Sequence, residues 1–309
     1  MVLVVGVMMV RNEADVVRAN VLHHHRQGIR QLLIVDDGST DGTPELLEEL
    51  EREGLVRWFH HSGIFLQAAW TNRLMQQARL DGADWVVPLD ADEFWIAPGS
   101  RIDAVLAITG EDALQVKAVN LVQRRSQLTP DVRGLTTMLY RPTAHFTSIH
   151  HTQAMMAQNT LSHVEVMGVP KWIHRPHPQR RLDTGSHTLT GPVATRRVTA
   201  DIICMHAALR SRDALARKMG DFAERLHTAG IAVGDGAWHV QRWARLLAAH
   251  GDAAIDIEWA ANSVDADGAL DVYGTRRLLH RDLQFHNAMH DIVQQVAATR
   301  EAARDGVPT

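Results

Sequence analysis

The N-terminal part of the chain alternates apolar runs with segments of helical spacing, and few folds accept that alternation. Val2 to Val10 is an unbroken apolar run, and Gln31 to Val35, Val56 to His60 and Asp84 to Leu89 are further runs of strand length. Between them, Glu13 to Gln27, Glu45 to Glu53 and Ala68 to Leu80 carry apolar residues at helical spacing. Gly28 stands where a helix stop belongs, and Asp36 to Pro44 is a long turn and cap signal. Strand, helix, strand, helix in this order predicts an α/β domain, a mostly parallel sheet flanked by helices on both faces.

In such sheets ligands sit beyond the carboxyl ends of the strands. Asn12, Asp37 and Asp90 each follow a predicted strand, so all three are expected along one edge. The densest chemistry lies in Leu89-Asp90-Ala91-Asp92-Glu93-Phe94-Trp95. Carboxylates at i and i+2 of extended backbone project to the same side, and a hard divalent cation with oxygen ligands relieves their repulsion.

The rest of the chain divides less sharply. Ala113 to Leu121 and Leu135 to Tyr140 resemble strands, and His145 to Lys171 mixes short apolar runs with histidines. Ala214 to Ala229, Ala237 to His250 and Leu279 to Arg304 have helical composition, which predicts a catalytic domain over 1–212 and a helical extension over 213–309. A formal net charge of -4 gives no global attraction to nucleic acid, while basic residues between Lys171 and Lys218 suggest a local anion site. The lone Cys204 excludes an intrachain disulfide framework and fits a reducing cytoplasm. The apolar start lacks a basic leader region and is too short to span a bilayer, so no transmembrane span is expected. Of the 19 histidines, His23, His24 and His25 fall late in the first helix, where cations suit the dipole, and are taken as structural. His150, His151 and His163 lack the i, i+4 pairing of a zinc site.

The ordered set Val10-Arg11-Asn12-Glu13, Val35-Asp36-Asp37-Gly38-Ser39-Thr40-Asp41 and Leu89-Asp90-Ala91-Asp92-Glu93 resembles the nucleotide-sugar half of glycosyltransferase family 2, a GT-A fold. It also resembles a branch with a DADEFW-type motif, followed here by Lys171-Trp172-Ile173-His174-Arg175-Pro176, Gly185-Ser186-His187 and His206-Ala207-Ala208-Leu209-Arg210-Ser211. The resemblance covers roughly residues 3 to 220.

It implies Mn²⁺ or Mg²⁺ with Asp92 as direct ligand, Asp90 on the ribose or a metal-bound water, and His206 as a third ligand. It implies Asp37 on the nucleobase, Arg11, Asn12 and Glu13 around base and ribose, and Arg210 and Lys218 on the diphosphate. Gln67 and Asn72 lie within sequence reach of the nucleotide, and Glu93 is a structural or acceptor-facing acid. Asp41, before Gly42-Thr43-Pro44, is expected to cap its turn. An inverting transfer needs a base for the acceptor hydroxyl. The chain departs from the family in lacking its Glu-Asp dipeptide, which leaves Asp183 as the best-spaced carboxylate, with Glu165 and Asp201 behind it and His187 as a non-carboxylate base. The expected function is metal-dependent transfer of a sugar, from a UDP-sugar by preference, to a hydroxyl acceptor. The chain is expected to be cytoplasmic, with peripheral membrane contact and a homodimer through the C-terminal helices as further expectations. The rival functions are nucleotidyl transfer, against which the glycine-free Val10-Arg11-Asn12-Glu13 speaks, and a non-catalytic binding module.

Overall fold

The computed structural model describes residues 2–63, 66–143, 161–166, 170–228 and 238–304. The chain forms two compact units that interleave along the sequence. The first comprises Met1–Val119, Gly168–His206 and Asp291–Thr309, the second Asn120–Met167 and Ala207–His290.

The first unit opens as expected, with β1 (Val4–Val10), α1 (Val17–Arg26), β2 (Gln31–Asp37), α2 (Thr43–Arg52), β3 (Val56–His61), α3 (Gln67–Leu80) and β4 (Trp85–Leu89). Strands β3, β2, β1 and β4 are neighbours in that order and run parallel. The sheet continues through β9 (Lys171–His174), β6 (Ala113–Asn120), β12 (Arg196–His206) and β5 (Glu93–Ile96) to eight strands. β9 is antiparallel to β4 and β6, and β12 is antiparallel to β5.

Both faces of β1 are covered. Val5 and Val7 join Leu33, Val35 and Val86 in a core with Leu74, Met75 and Ala78 of α3, while the alternate residues Val4 and Met8 are buried as well. That two-sided burial is why the run carries no polar residue. Gly28 ends α1 at φ 87°, and the carboxyl of Asp103 in α4 (Ile102–Ala107) lies 2.2 Å from where a Cβ would stand. Only glycine meets both demands. Arg175, just after β9, stacks over the Trp85 ring at 4.4 Å and donates to Thr109 O at 3.0 Å and Glu111 O at 3.3 Å. The Arg-Pro of that sequence motif is thus an anchor for β9.

The second unit contains α5 (Arg212–Thr228), α6 (Trp238–His250) and α7 (Ala253–Asn262), close to expectation, and also strands. β7 (Gln123–Arg124) pairs with β13 (Ser263–Val264), and β14 (Ala269–Val272), β15 (Thr275–Arg281) and β8 (Tyr140–Pro142) form an antiparallel sheet. A helix from Leu279 was expected; α8 begins later, at Gln284–Arg304. Tyr273 and Gly274, at φ 49° and 83°, make the two-residue turn that pairs β14 with β15. Half of the strand expected over Leu135 to Tyr140 is instead the end of a 3₁₀ turn, Val132–Thr137, capped by the Asp131 carboxylate on Arg133 N at 2.8 Å. Its Thr136 and Thr137 hydroxyls bond back to Arg133 O and Gly134 O, the local competition that defeats a strand.

From Asp291 onward α8 belongs to the first unit. Its Ile292, Val293, Val296 and Ala297 are buried within the chain. Arg26 donates to Gln295 Oε1 at 3.2 Å, and the Arg300 guanidinium donates to Ala14 O.

The second unit is organised around Glu258, which is fully buried. Its carboxylate accepts from Arg242 Nε at 2.9 Å, Tyr273 OH at 2.9 Å, Trp243 Nε1 at 3.2 Å and Asn262 Nδ2 at 3.1 Å. Removing one partner of a buried pair strands the other charge. Arg242→Met should therefore lower unfolding free energy by about 3–5 kcal/mol, measured by urea unfolding; a loss below about 1 kcal/mol would refute the pair as the hub of this unit.

Candidate functional site

The parallel register decides which side chains meet. Val10 lies beside Asp36 and Met8 beside Leu89, so β1, β2 and β4 end together. Arg11 to Glu13, Asp37 and Asp90 to Glu93 consequently share one edge, as the alternation predicted. The loop after β1 is locked to the loop after β2. Asn12, at φ 55°, donates its N–H to Ser39 Oγ at 2.9 Å and accepts from Thr40 N at Oδ1 at 2.8 Å. Glu13 N donates to Thr43 Oγ1 at 3.0 Å. Asp41 is the expected cap: Oδ1 accepts from the Thr43 hydroxyl at 2.6 Å and Oδ2 from Ala14 N at 3.1 Å.

Asp37 is buried. Arg11 donates to its carbonyl at 3.2 Å and lies 3.9 Å from its carboxylate. His61, which sequence reasoning missed, stands 3.8 Å from Asp37 Oδ1, and its ring packs at 5.1 Å on Trp70. The register carried the only signal, since His61 lies beside Asp37 at the end of β3.

The acidic turn is centred on a second missed residue, Lys171. Its Nζ lies 2.6 Å from Asp90 Oδ2 and 2.7 Å from Glu93 Oε1, at 4% side-chain exposure. Burial alone would discharge an ammonium; Asp90 and Glu93 outweigh it and raise the Lys171 pKa above the ordinary value. Glu93 Oε2 also accepts from Asp90 N at 3.3 Å, while Glu93 N donates to Asp90 O at 3.0 Å. Burial raises the Glu93 pKa, Lys171 opposing it. Glu93 is therefore the structural acid of the three. The Cys204 thiol nearby is buried and pushed well up, which leaves it protonated and inert.

Asp90 is engaged by Lys171, and the next acid of the turn, Asp92, is buried. His206 follows from the antiparallel register of β12, opposite Glu93, and its Nε2 stands 3.6 Å from Asp92 Oδ1. Among the described residues no group of three or more His, Cys, Asp or Glu could hold a metal ion. One carboxylate and one imidazole still suit Mn²⁺ or Mg²⁺, which are held by few protein groups when phosphate oxygens complete the shell.

A loop from β10 (Arg181–Leu182) to β11 (Leu189–Thr190) brings in the Gly-x-His segment. Gln67 ties it to the acids, donating to Asp90 Oδ1 at 3.4 Å and accepting from Gly185 N at 3.3 Å. Gly185 has φ 80°, and a Cβ there would meet the His187 ring at 2.6 Å. The imidazole folds back over the bare glycine. Its pKa is lowered, by burial first and then by Lys171, so it is neutral at pH 7.

Asp183 is exposed, and its Oδ1 accepts from His187 N at 2.7 Å and Thr188 N at 2.8 Å. It holds the loop through these two bonds. Asn72 is likewise occupied: its amide donates to Leu182 O at 2.8 Å and accepts from Leu182 N at 2.9 Å, pinning α3 to β10. Glu165 accepts from Ser162 in the second unit, and the exposed Asp201 pairs with Arg197 at 3.2 Å. Arg210 and Lys218 also belong to the second unit, where Lys218 Nζ donates to Ala208 O at 3.0 Å. His150 and His151 lie outside the described residues, and His163 packs on the His239 ring at 5.4 Å.

Residues 7–159 match the model of Glycosyl transferase family 2. That match spans just under half of the chain and is to a family of glycosyltransferases. The sheet, parallel through β3, β2, β1 and β4 and flanked by helices, is of the α/β class that the alternation implied. No curated protein sequence matches the chain. Among solved structures it is similar to S. aureus TarS 1-349, at 12% identity, 98% coverage of this chain, 92% of that one and a TM-score of 0.38. TarS 1-349 in complex with UDP-GlcNAc gives 12%, 99%, 92% and 0.37. A longer TarS chain is matched over 39% of its own length, at 12% identity, 71% coverage of this chain and a TM-score of 0.39.

The histidines of α1 correct one expectation. His23 and His24 are structural, yet burial lowers His23 to about 4 and His24 well below its usual value, so neither is the cation that a helix dipole would favour. His174, fully buried in β9, is lowered to about 4 for the same reason. In the unfolded chain these imidazoles take protons near pH 6.5. Stability they contribute is complete above that pH and lost as pH falls toward 4, on the order of 3 kcal/mol each for His23 and His174. Thermal unfolding should shift steeply downward between pH 7 and pH 5, and less so in a His174→Phe variant; a flat midpoint would refute the neutral histidines.

Proposed function

We propose that this chain transfers a sugar from a nucleoside diphosphate donor, a UDP-sugar by preference, to a hydroxyl acceptor with inversion. The observation that carries this is the convergence of Asp37, Asp90 and Asp92 at the common end of β1, β2 and β4, within a family 2 domain. Asp37, with Arg11 and His61 beside it, faces the nucleobase. Asp90, fixed by Lys171 and Gln67, accepts hydrogen bonds from the ribose. Asp92 and His206 would hold Mn²⁺ or Mg²⁺, whose chemistry when bound is to neutralise charge building on the departing diphosphate.

The acceptor oxygen must lose its proton as it attacks the anomeric carbon from the face opposite the diphosphate. His187 suits that task, because its imidazole is neutral and its ring is held in place by Gly185. Asp183 then serves as the support of the His187 loop.

The test is hydrolysis of a panel of nucleoside diphosphate sugars with and without Mn²⁺. Free sugar and nucleoside diphosphate are expected; pyrophosphate, or turnover indifferent to Asp92→Asn, would overturn the proposal. Asp92→Asn should cost about 10²–10³ in kcat, and His187→Asn about 10²–10⁴ in transfer to an acceptor. Asp183→Asn, whose amide oxygen still accepts the two backbone bonds, should remain within about threefold of wild type. If Asp183→Asn abolished transfer while His187→Asn did not, Asp183 would be the base.

A further inference from the structure

Asn20, His23 and His24 occupy positions i, i+3 and i+4 of α1 and so project from one face of the helix. That face is buried, yet it is polar: Asn20 and His24 are fully enclosed. Burying an amide is costly unless its hydrogen bonds are made, and here they are made to the backbone of the acidic turn. Asn20 Nδ2 donates to Ala91 O at 2.9 Å and Glu93 O at 2.8 Å, the two carbonyls that bracket Asp92, with Asp90 O at 3.5 Å. His24 Nε2 accepts from Trp95 N at 3.2 Å, which puts the ring proton on Nδ1, where it is 2.9 Å from both Asn20 O and Asn20 Oδ1. His23 Nε2 completes the set on Trp95 O at 2.8 Å.

We propose that Asn20 is a positioning residue for the donor site: supported by His24, its amide fixes the backbone on either side of Asp92 and so aims that carboxylate. The inference rests on the assignment of Asp92 to the cation and the donor. An asparagine is suited to the task because one planar NH₂ presents two donors to two diverging carbonyls. Leucine fills the same volume with no donor, and aspartate turns acceptors toward acceptors. Neither Asn20 nor the histidines touch the donor themselves, so their effect passes entirely through the turn.

The experiment compares wild type, Asn20→Leu, Asn20→Asp and, as a control that weakens the same helix without touching the turn, Val21→Ala. Amide hydrogen exchange over residues 89–96 should be about tenfold faster in both Asn20 variants than in Val21→Ala, with β1 and β2 amides unchanged. The Mn²⁺ concentration needed for half of the UDP-induced thermal shift should rise about 10–100-fold in the Asn20 variants and stay put in the control. Exchange over 89–96 that matches Val21→Ala would overturn the proposal. Should Asn20→Leu not fold, Asn20→Ala is judged by the same two measurements. If UDP binding by wild type ignores Mn²⁺, the assignment of Asp92 fails, while the exchange data still decide whether Asn20 sets the turn.

Discussion

Everything at the carboxyl edge of the sheet depends on one buried ammonium. Three carboxylates within four residues cannot share a water-poor turn without compensation. Lys171 arrives from a strand 81 positions later and satisfies two of them, Asp90 and Glu93. The pairing explains why β9 is inserted beside β4 in the sheet, against the parallel direction of its neighbour. A strand at that position is the shortest way to place a lysine over the end of β4, and Arg175 stacked on Trp85 keeps it there.

The parallel half of the fold was legible because its residues advertise it. Apolar runs of strand length, glycine stops and the Asp41 cap are local signals, and register then follows from the right-handed alternation of strand and helix. The carboxylates inherited their common edge from that register. Antiparallel strands were harder to see: β5 and β9 are four fully buried residues each, too short to show a period, β12 mixes exposed and buried positions, and each pairs with a strand distant in sequence. The β14 to β15 hairpin did leave a trace in Gly274, which composition rich in Leu and Arg concealed.

Side-chain roles were least legible where one residue serves another. Asp183 has the spacing of a base and the bonds of a loop support; Asn72 has the spacing of a ligand contact and holds a strand. Lys171 lay within a recognised motif but without a role, because its partners are 81 and 78 positions away, a separation that no short-range pattern encodes. The histidines of α1 were read as structural cations of the helix end, and burial makes His23 and His24 neutral instead. Their environment, not their place on the helix, determines their charge.

The Arg300 contact to Ala14 has a consequence for the order in which the chain can fold. The partners are 286 residues apart, and Ala14 belongs to the loop that carries Arg11, Asn12 and Glu13. At ribosomal speeds of about 5–20 residues per second, the N-terminal loop waits on the order of 15–60 s for its last partner. During synthesis the sheet can assemble strand by strand as each segment emerges. The loop beside Asp37 gains this contact only after Arg300 has emerged, so nascent chains pass through a stage in which β1 and β2 can pair while that loop lacks its distant partner.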